Sequence, residues 1–86
     1  MKYLDVSNNK FTDDSISVLL KAVSESKLES LNLSGNAITE KSVNNIGGIL
    51  KTNKFLKQLD LTNNLIQSRL MKNKIKNYLT HITVTV

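Results

Sequence analysis

The sequence has no cysteine, one histidine, three glycines and no apolar run long enough to span a bilayer. Without cysteine there is no disulfide framework, the usual support of a small secreted domain, and no thiolate to act as ligand or nucleophile. The lone His81 has neither a second His nor a Cys to complete a ligand set, so no metal site and no cofactor are expected. Asp60 alone beside that imidazole would not make a hydrolase. Two of the glycines, Gly47-Gly48, fall inside a stretch of helical period rather than after a strand, which makes a poor phosphate-cradling loop. With no nucleophile elbow or paired-carboxylate site either, the chain is expected to be no enzyme. An apolar secretory stretch is also absent at the N-terminus, which favours an intracellular, cytoplasmic site and no transmembrane segment.

Acids are scarce in the second half. Residues 1–43 hold five lysines against six acids, whereas residues 44–86 hold seven basic residues against Asp60 alone. The densest basic stretch lies between Arg69 and Lys76. On a helix, Arg69, Lys72 and Lys76 share one face, and Met71, Ile75 and Tyr78 form the opposite stripe. Such a face can attract polyanions weakly and in a salt-sensitive way. Tyr78 is its only aromatic and no nucleic-acid motif accompanies it, so no specific nucleic acid is expected. A lysine-rich helix of this kind is more commonly just a solvated surface.

What the chain does have is repetition. Met1-Lys-Tyr-Leu4-Asp-Val6-Ser-Asn-Asn9-Lys-Phe11, Leu28-Glu-Ser-Leu31-Asn-Leu33-Ser-Gly-Asn36-Ala-Ile38 and Leu56-Lys-Gln-Leu59-Asp-Leu61-Thr-Asn-Asn64-Leu-Ile66 follow one pattern, stepping by 27 and then 28 residues. Leu4/Val6, Leu31/Leu33 and Leu59/Leu61 alternate with polar residues at the period of a half-buried strand. A sharp turn must follow each strand and leave backbone groups without partners. An Asn side chain both donates and accepts, so Asn9, Asn36 and Asn64 are expected to stack as a ladder beneath the turns.

Between the strand motifs the period changes. Ile16, Leu19, Leu20 and Val23, then Val43, Ile46, Ile49 and Leu50, recur at helical spacing. Thr12 and Thr39 stand where N-caps are wanted, with Asp13, Asp14 and Glu40 in the first turns to suit the helix dipole. For Gly47-Gly48 a close approach between elements is the expected reason, in preference to a hinge.

Residues 1–66 resemble leucine-rich repeats, specifically the long, helix-containing class typified by ribonuclease inhibitor. Ran GTPase-activating proteins, tropomodulin-like actin regulators and NOD-like receptors carry related repeats. The resemblance implies an α/β solenoid, a right-handed βα superhelix of about three repeats with a parallel concave sheet and outer helices. Repeats are expected over 1–27, 28–55 and 56–78 within one domain, 1–86, followed by a terminal fourth strand over 80–86. It further implies a protein–protein interaction module whose partner is an unknown protein. A stacking segment within a larger solenoid or assembly is the alternative.

Past Ile66 the pattern loosens, because Leu79-x-x-Ile82-x-Val84 imitates the strand motif about five residues early. Either the third repeat is shortened by that much, or the tail is a cap with its own geometry. A short helix over 68–78 followed by a strand with Ile82, Val84 and Val86 facing inward is expected. Such an edge strand invites pairing with another chain, so self-association through the end strands, or membership of a longer solenoid, is anticipated.

The polar residues alternating with the strand leucines should line the concave face. They are Tyr3, Asp5 and Ser7; Ser30, Asn32 and Ser34; Gln58, Asp60 and Thr62; and His81, Thr83 and Thr85. Tyr3 is the best single anchor, since it offers contact area and a hydroxyl at low entropic cost. Asp5, Asn32 and Asp60 form a mildly acidic column. Tyr3, Asp5, Asn32, Gln58, Asp60 and His81 are therefore the candidate partner-binding residues, against the plainer reading that they are ordinary solvated strand positions.

Overall fold

A computed structural model describes residues 2–86; Met1, expected in the first leucine position, lies outside the described residues. Four short strands, β1 (Tyr3–Asp5), β2 (Ser30–Asn32), β3 (Gln58–Asp60) and β4 (Thr83–Thr85), form one parallel sheet in chain order. Between them run the helices α1 (Asp13–Ser24), α2 (Val43–Leu50, entered through a 3-10 turn at Glu40–Ser42) and α3 (Arg69–Tyr78). The register aligns Leu4, Leu31, Leu59 and Val84 in one row. With Leu33, Leu61 and the helix residues Ile16, Leu20, Ile46, Leu50, Ile75 and Leu79 they make a single core. Each such fully buried aliphatic side chain contributes roughly 1.5–3 kcal/mol. The repeat period is the spacing at which these leucines come into contact across neighbouring strands.

Each of the first three strands leads into a turn with a left-handed residue, Asn8 (φ 57°), Gly35 (φ 69°) or Asn63 (φ 57°), one place before the ladder asparagine. Those residue types tolerate that conformation best. Behind the second and third turns the ladder side chain reaches back to the preceding repeat. Asn36 accepts from the Asn9 and Phe11 N–H groups (2.9 and 3.0 Å) and donates to the Val6 and Leu33 carbonyls (3.1 and 2.9 Å). Asn64 accepts from Ile38 N–H at 3.1 Å and donates to the Leu33 and Leu61 carbonyls. Asn9 is exposed and donates only to Ser7 O at 3.0 Å. The rung is therefore a bond between repeats, and Asn9 makes none such among the described residues.

A second tie sits at the helix starts. Asp13 accepts from Thr39 N–H (2.9 Å) and from the Thr39 and Ser42 hydroxyls, joining the first repeat to the second. Glu40, at the same place one repeat on, accepts from Ser68 N–H at 3.0 Å. Thr39 caps the 3-10 turn that leads into α2, and Ser68 caps α3, each through the hydroxyl. Thr12 occupies the cap position of α1 in extended geometry, but its hydroxyl makes no cap bond to the backbone.

Partial burial raises the Asp13 carboxyl, but hydrogen bonds from Ser42 and Thr39 and the charge of Lys41 outweigh it, leaving the group below its ordinary value of 3.8. A folded-state pKa below the unfolded one stabilises the fold above the ordinary value, and that contribution fades as pH falls through the depressed value. In urea melts, the margin of the native chain over Asp13→Asn should be constant near neutrality and shrink below about pH 4. A margin that does not change with pH would remove the carboxylate from this account.

The terminal strand corrects the expected boundaries. Only Thr83–Thr85 is strand, and Leu79–Ile82 is a turn, so the strand does not span 80–86. Val84 pairs with Leu59, a step of 25 residues, so the last repeat is shortened by three residues relative to its predecessor rather than by about five. Val84 thus holds the place of Leu31 and Leu59, which the sequence pattern assigns to Ile82. Ile82 and Val84 are nonetheless buried and Val86 packs against the core, because a slip of two residues leaves the strand's faces unchanged.

Candidate interaction surface

The sheet face away from the helices is open and carries a shallow depression of about 340 Å³. Two cross-strand rows cover this face: Tyr3, Ser30, Gln58 and Thr83, then Asp5, Asn32, Asp60 and Thr85. All but Asp5 line the depression itself, with Leu31 and Leu59 beneath. Tyr3 is the large apolar side chain on its rim, 54 % exposed. Ser30 Oγ donates to Gln58 Oε1 at 3.4 Å.

The acidic column has a structural duty that strand alternation does not reveal. Asp5, Asn32 and Asp60 each accept, through Oδ1, the N–H of the residue two places on, Ser7, Ser34 or Thr62, at 2.9–3.0 Å. Asp60 Oδ1 also takes the Thr62 hydroxyl at 2.7 Å. These Asx turns lead the chain out of each strand and hold the side chains in one orientation. The Ser7 hydroxyl and N–H, with Tyr3, keep the Asp5 carboxyl below its usual range against a smaller effect of burial. The sequence signal was available, since an Asx residue followed two places on by Ser or Thr recurs in all three repeats.

His81 is not part of this surface. It lies in the turn before β4, where Nε2 is 2.9 Å from the Asn53 carbonyl, in a depression shared with Lys51, Lys54 and Lys57. Strand alternation cannot place it, because the strand begins only at Thr83. The structure therefore does not bring His81 and Asp60 together. Asn53, which sequence reasoning passed over, is buried and accepts from the Phe55 and Leu56 N–H groups at 2.8 Å, shaping the loop into β3.

On α3, Ile75 is buried and Met71 packs against the core. Tyr78 lies over Gly47 of α2, where an added Cβ would stand 2.8 Å from the ring. Close helix approach thus accounts for Gly47; Gly48 has nothing within 4 Å and needs no such reason. Arg69 and Lys76 are exposed and Lys72 is half-buried. The ion pair found among the described residues is elsewhere, Lys57 Nζ to Glu29 Oε1 at 3.9 Å.

A parallel sheet in chain order, a helix between each pair of consecutive strands and asparagine rungs between repeats define a leucine-rich-repeat solenoid. The Leucine Rich Repeat family matches residues 27–49 and a second Leucine Rich repeat family matches residues 1–20, and the chain is a leucine-rich-repeat protein. Solenoids of this kind typically act as non-catalytic binding modules for other proteins. Among solved structures, one described as Leiomodin-1 Actin-Binding Site 2 (ABS2) is similar, with a TM-score of 0.85 and 24% identity over 99% of this chain and 53% of that one. The chain thus spans about half the length of that structure, and the likeness is one of fold. No curated protein sequence matches. No helix is long and apolar enough to cross a membrane among the described residues.

Proposed function

We propose that the chain recognises a protein partner through the open face of its sheet, with Tyr3 as anchor and Gln58 and Thr83 as polar contacts, and performs no chemistry of its own. The observation that carries this reading is the exposed Tyr3 at the rim of a depression built from two rows of polar side chains. Parallel strands hold the side chains within each row about 4.8 Å apart, and the Asx turns fix one row, so little conformational freedom is lost on docking. Asn32 lies in the floor, and Asp5 and Asp60 keep their second carboxylate oxygens for a basic or polar partner group. A cysteine-free chain suits the reducing cytoplasm.

The similar structure is named for an actin-binding site, which makes purified actin the first partner to try, alongside a nuclease-treated lysate. Capture by the native chain should weaken by about tenfold or more in a Tyr3→Ala/Gln58→Ala/Thr83→Ala variant, the scale expected when an interface anchor is removed. Among the described residues none of those three side chains bonds a backbone group, so the thermal midpoint should hold. Undiminished capture by the folded variant would rule out the sheet face as the recognition surface.

A further inference from the structure

Counted from the caps Thr12, Thr39 and Ser68, three positions recur on each helix. The first is Asp13, Glu40 or Arg69; the fourth Ile16, Val43 or Lys72; the eighth Leu20, Gly47 or Lys76. In the first two repeats this surface looks toward the following repeat. Asp13 and Glu40 accept bonds from the next helix start, and Gly47 touches Tyr78 of the next helix. Ile16, Leu20 and Val43 are each no more than 1% exposed.

On α3 the same three positions are all cationic. They lie on the side of the helix away from Tyr78 and α2, and so beside the edge of β4 that no strand pairs among the described residues. No acid follows Asp60 in the sequence, and Glu40, which reaches the start of α3, is engaged with Ser68 N–H. Packing an apolar repeat here would bury three cations without partners.

We propose that this end face is a docking surface for an acidic peptide segment, whose carboxylates meet Arg69, Lys72 and Lys76 while its backbone pairs with that edge of β4. Charge complementarity selects that occupant. A second copy stacked head to tail would offer the open side of its first repeat, a groove of Leu4, Leu19, Ala22, Val23 and Lys27 with no acid among its lining residues. A nucleic acid would find no aromatic platform, since Tyr78 lies on the opposite side, and has no amide backbone to pair with a strand edge. The surface is distinct from the open sheet face and does not depend on its role.

The test uses the full chain labelled for NMR, titrated at about 50 mM salt with a glutamate-rich peptide of about a dozen residues. The glutamine version of the peptide and an oligothymidylate of similar length serve as comparators. Amide shifts should concentrate at β4 and α3 for the glutamate peptide alone. Affinity should fall about tenfold or more in Arg69→Gln/Lys72→Gln/Lys76→Gln, yet stay within about twofold in Lys51→Gln/Lys54→Gln/Lys57→Gln, which removes the same charge elsewhere. The proposal is overturned if the peptide does not bind, if both variants lose affinity equally, or if the oligonucleotide binds this face as well. It is equally overturned if sedimentation shows the native chain self-associating and the α3 variant monomeric.

Discussion

Replacing Asn36 with Ala should cost about 3 kcal/mol or more, a large fraction of the roughly 5–15 kcal/mol by which a whole domain is stable. Asn36 is 7% exposed and its amide serves five backbone groups, with the Ser34 carbonyl the fifth, at 3.3 Å. Alanine would leave the Asn9 and Phe11 N–H groups without their acceptor in a part-buried turn. Unmade bonds at buried groups cost about 1–3 kcal/mol each, far more than a made bond adds. Asn64→Ala should rank second, because its amide also bridges two repeats. Asn9→Ala should cost less than about 0.5 kcal/mol, as expected for an exposed residue with no such bond. Urea denaturation of the three variants reads the ranking directly. Equal losses would mean that the asparagines act within their own turns rather than between repeats.

Gly47→Leu should destabilise by about 3 kcal/mol, while Gly48→Ala should stabilise by about 0.5–1 kcal/mol. The two glycines are neighbours on one helix, so propensity alone treats them alike. Their surroundings do not. A Cβ on Gly47 falls 2.8 Å from two carbons of the Tyr78 ring and 3.1 Å from its Cβ, so a leucine there must force α2 and α3 apart. A Cβ on Gly48 meets nothing and only reduces the freedom of the unfolded chain. Tyr78→Ala should relieve part of the Gly47→Leu penalty, a coupling that a double-mutant cycle measures. If both glycine variants shift stability in the same direction, helix contact is not what selects Gly47.

The strand–turn–helix order, the core leucines and the asparagine rungs were legible because each depends on local period. A leucine at every second position and an Asn at a fixed offset are written along the chain itself. The position of His81 was not legible, because alternation continues in the letters for two residues before the strand begins at Thr83. The place of β4 was hidden for a related reason: a period of two makes Ile82 and Val84 interchangeable until pairing with Leu59 decides. The cationic row on α3 was visible as a helix face, but its meaning required alignment with Ile16, Leu20, Val43 and Gly47 on the earlier helices. Of the contact candidates, Tyr3, Asn32, Gln58 and Asp60 line one depression; the turn-forming duty shared by Asp5, Asn32 and Asp60 emerged only from the side-chain geometry.

The two ties between repeats point in opposite directions along the chain. Strand-end turns are completed by an asparagine from the repeat that follows, and helix starts by an acid from the repeat that precedes. A lone repeat therefore lacks partners at one end or the other, and the coupling between neighbours must outweigh what any unit contributes alone. Such a chain should not shed its outer repeats gradually but melt as one unit, with circular dichroism and calorimetric transitions coinciding. During synthesis, the first turn must wait for Asn36 to emerge before it can close.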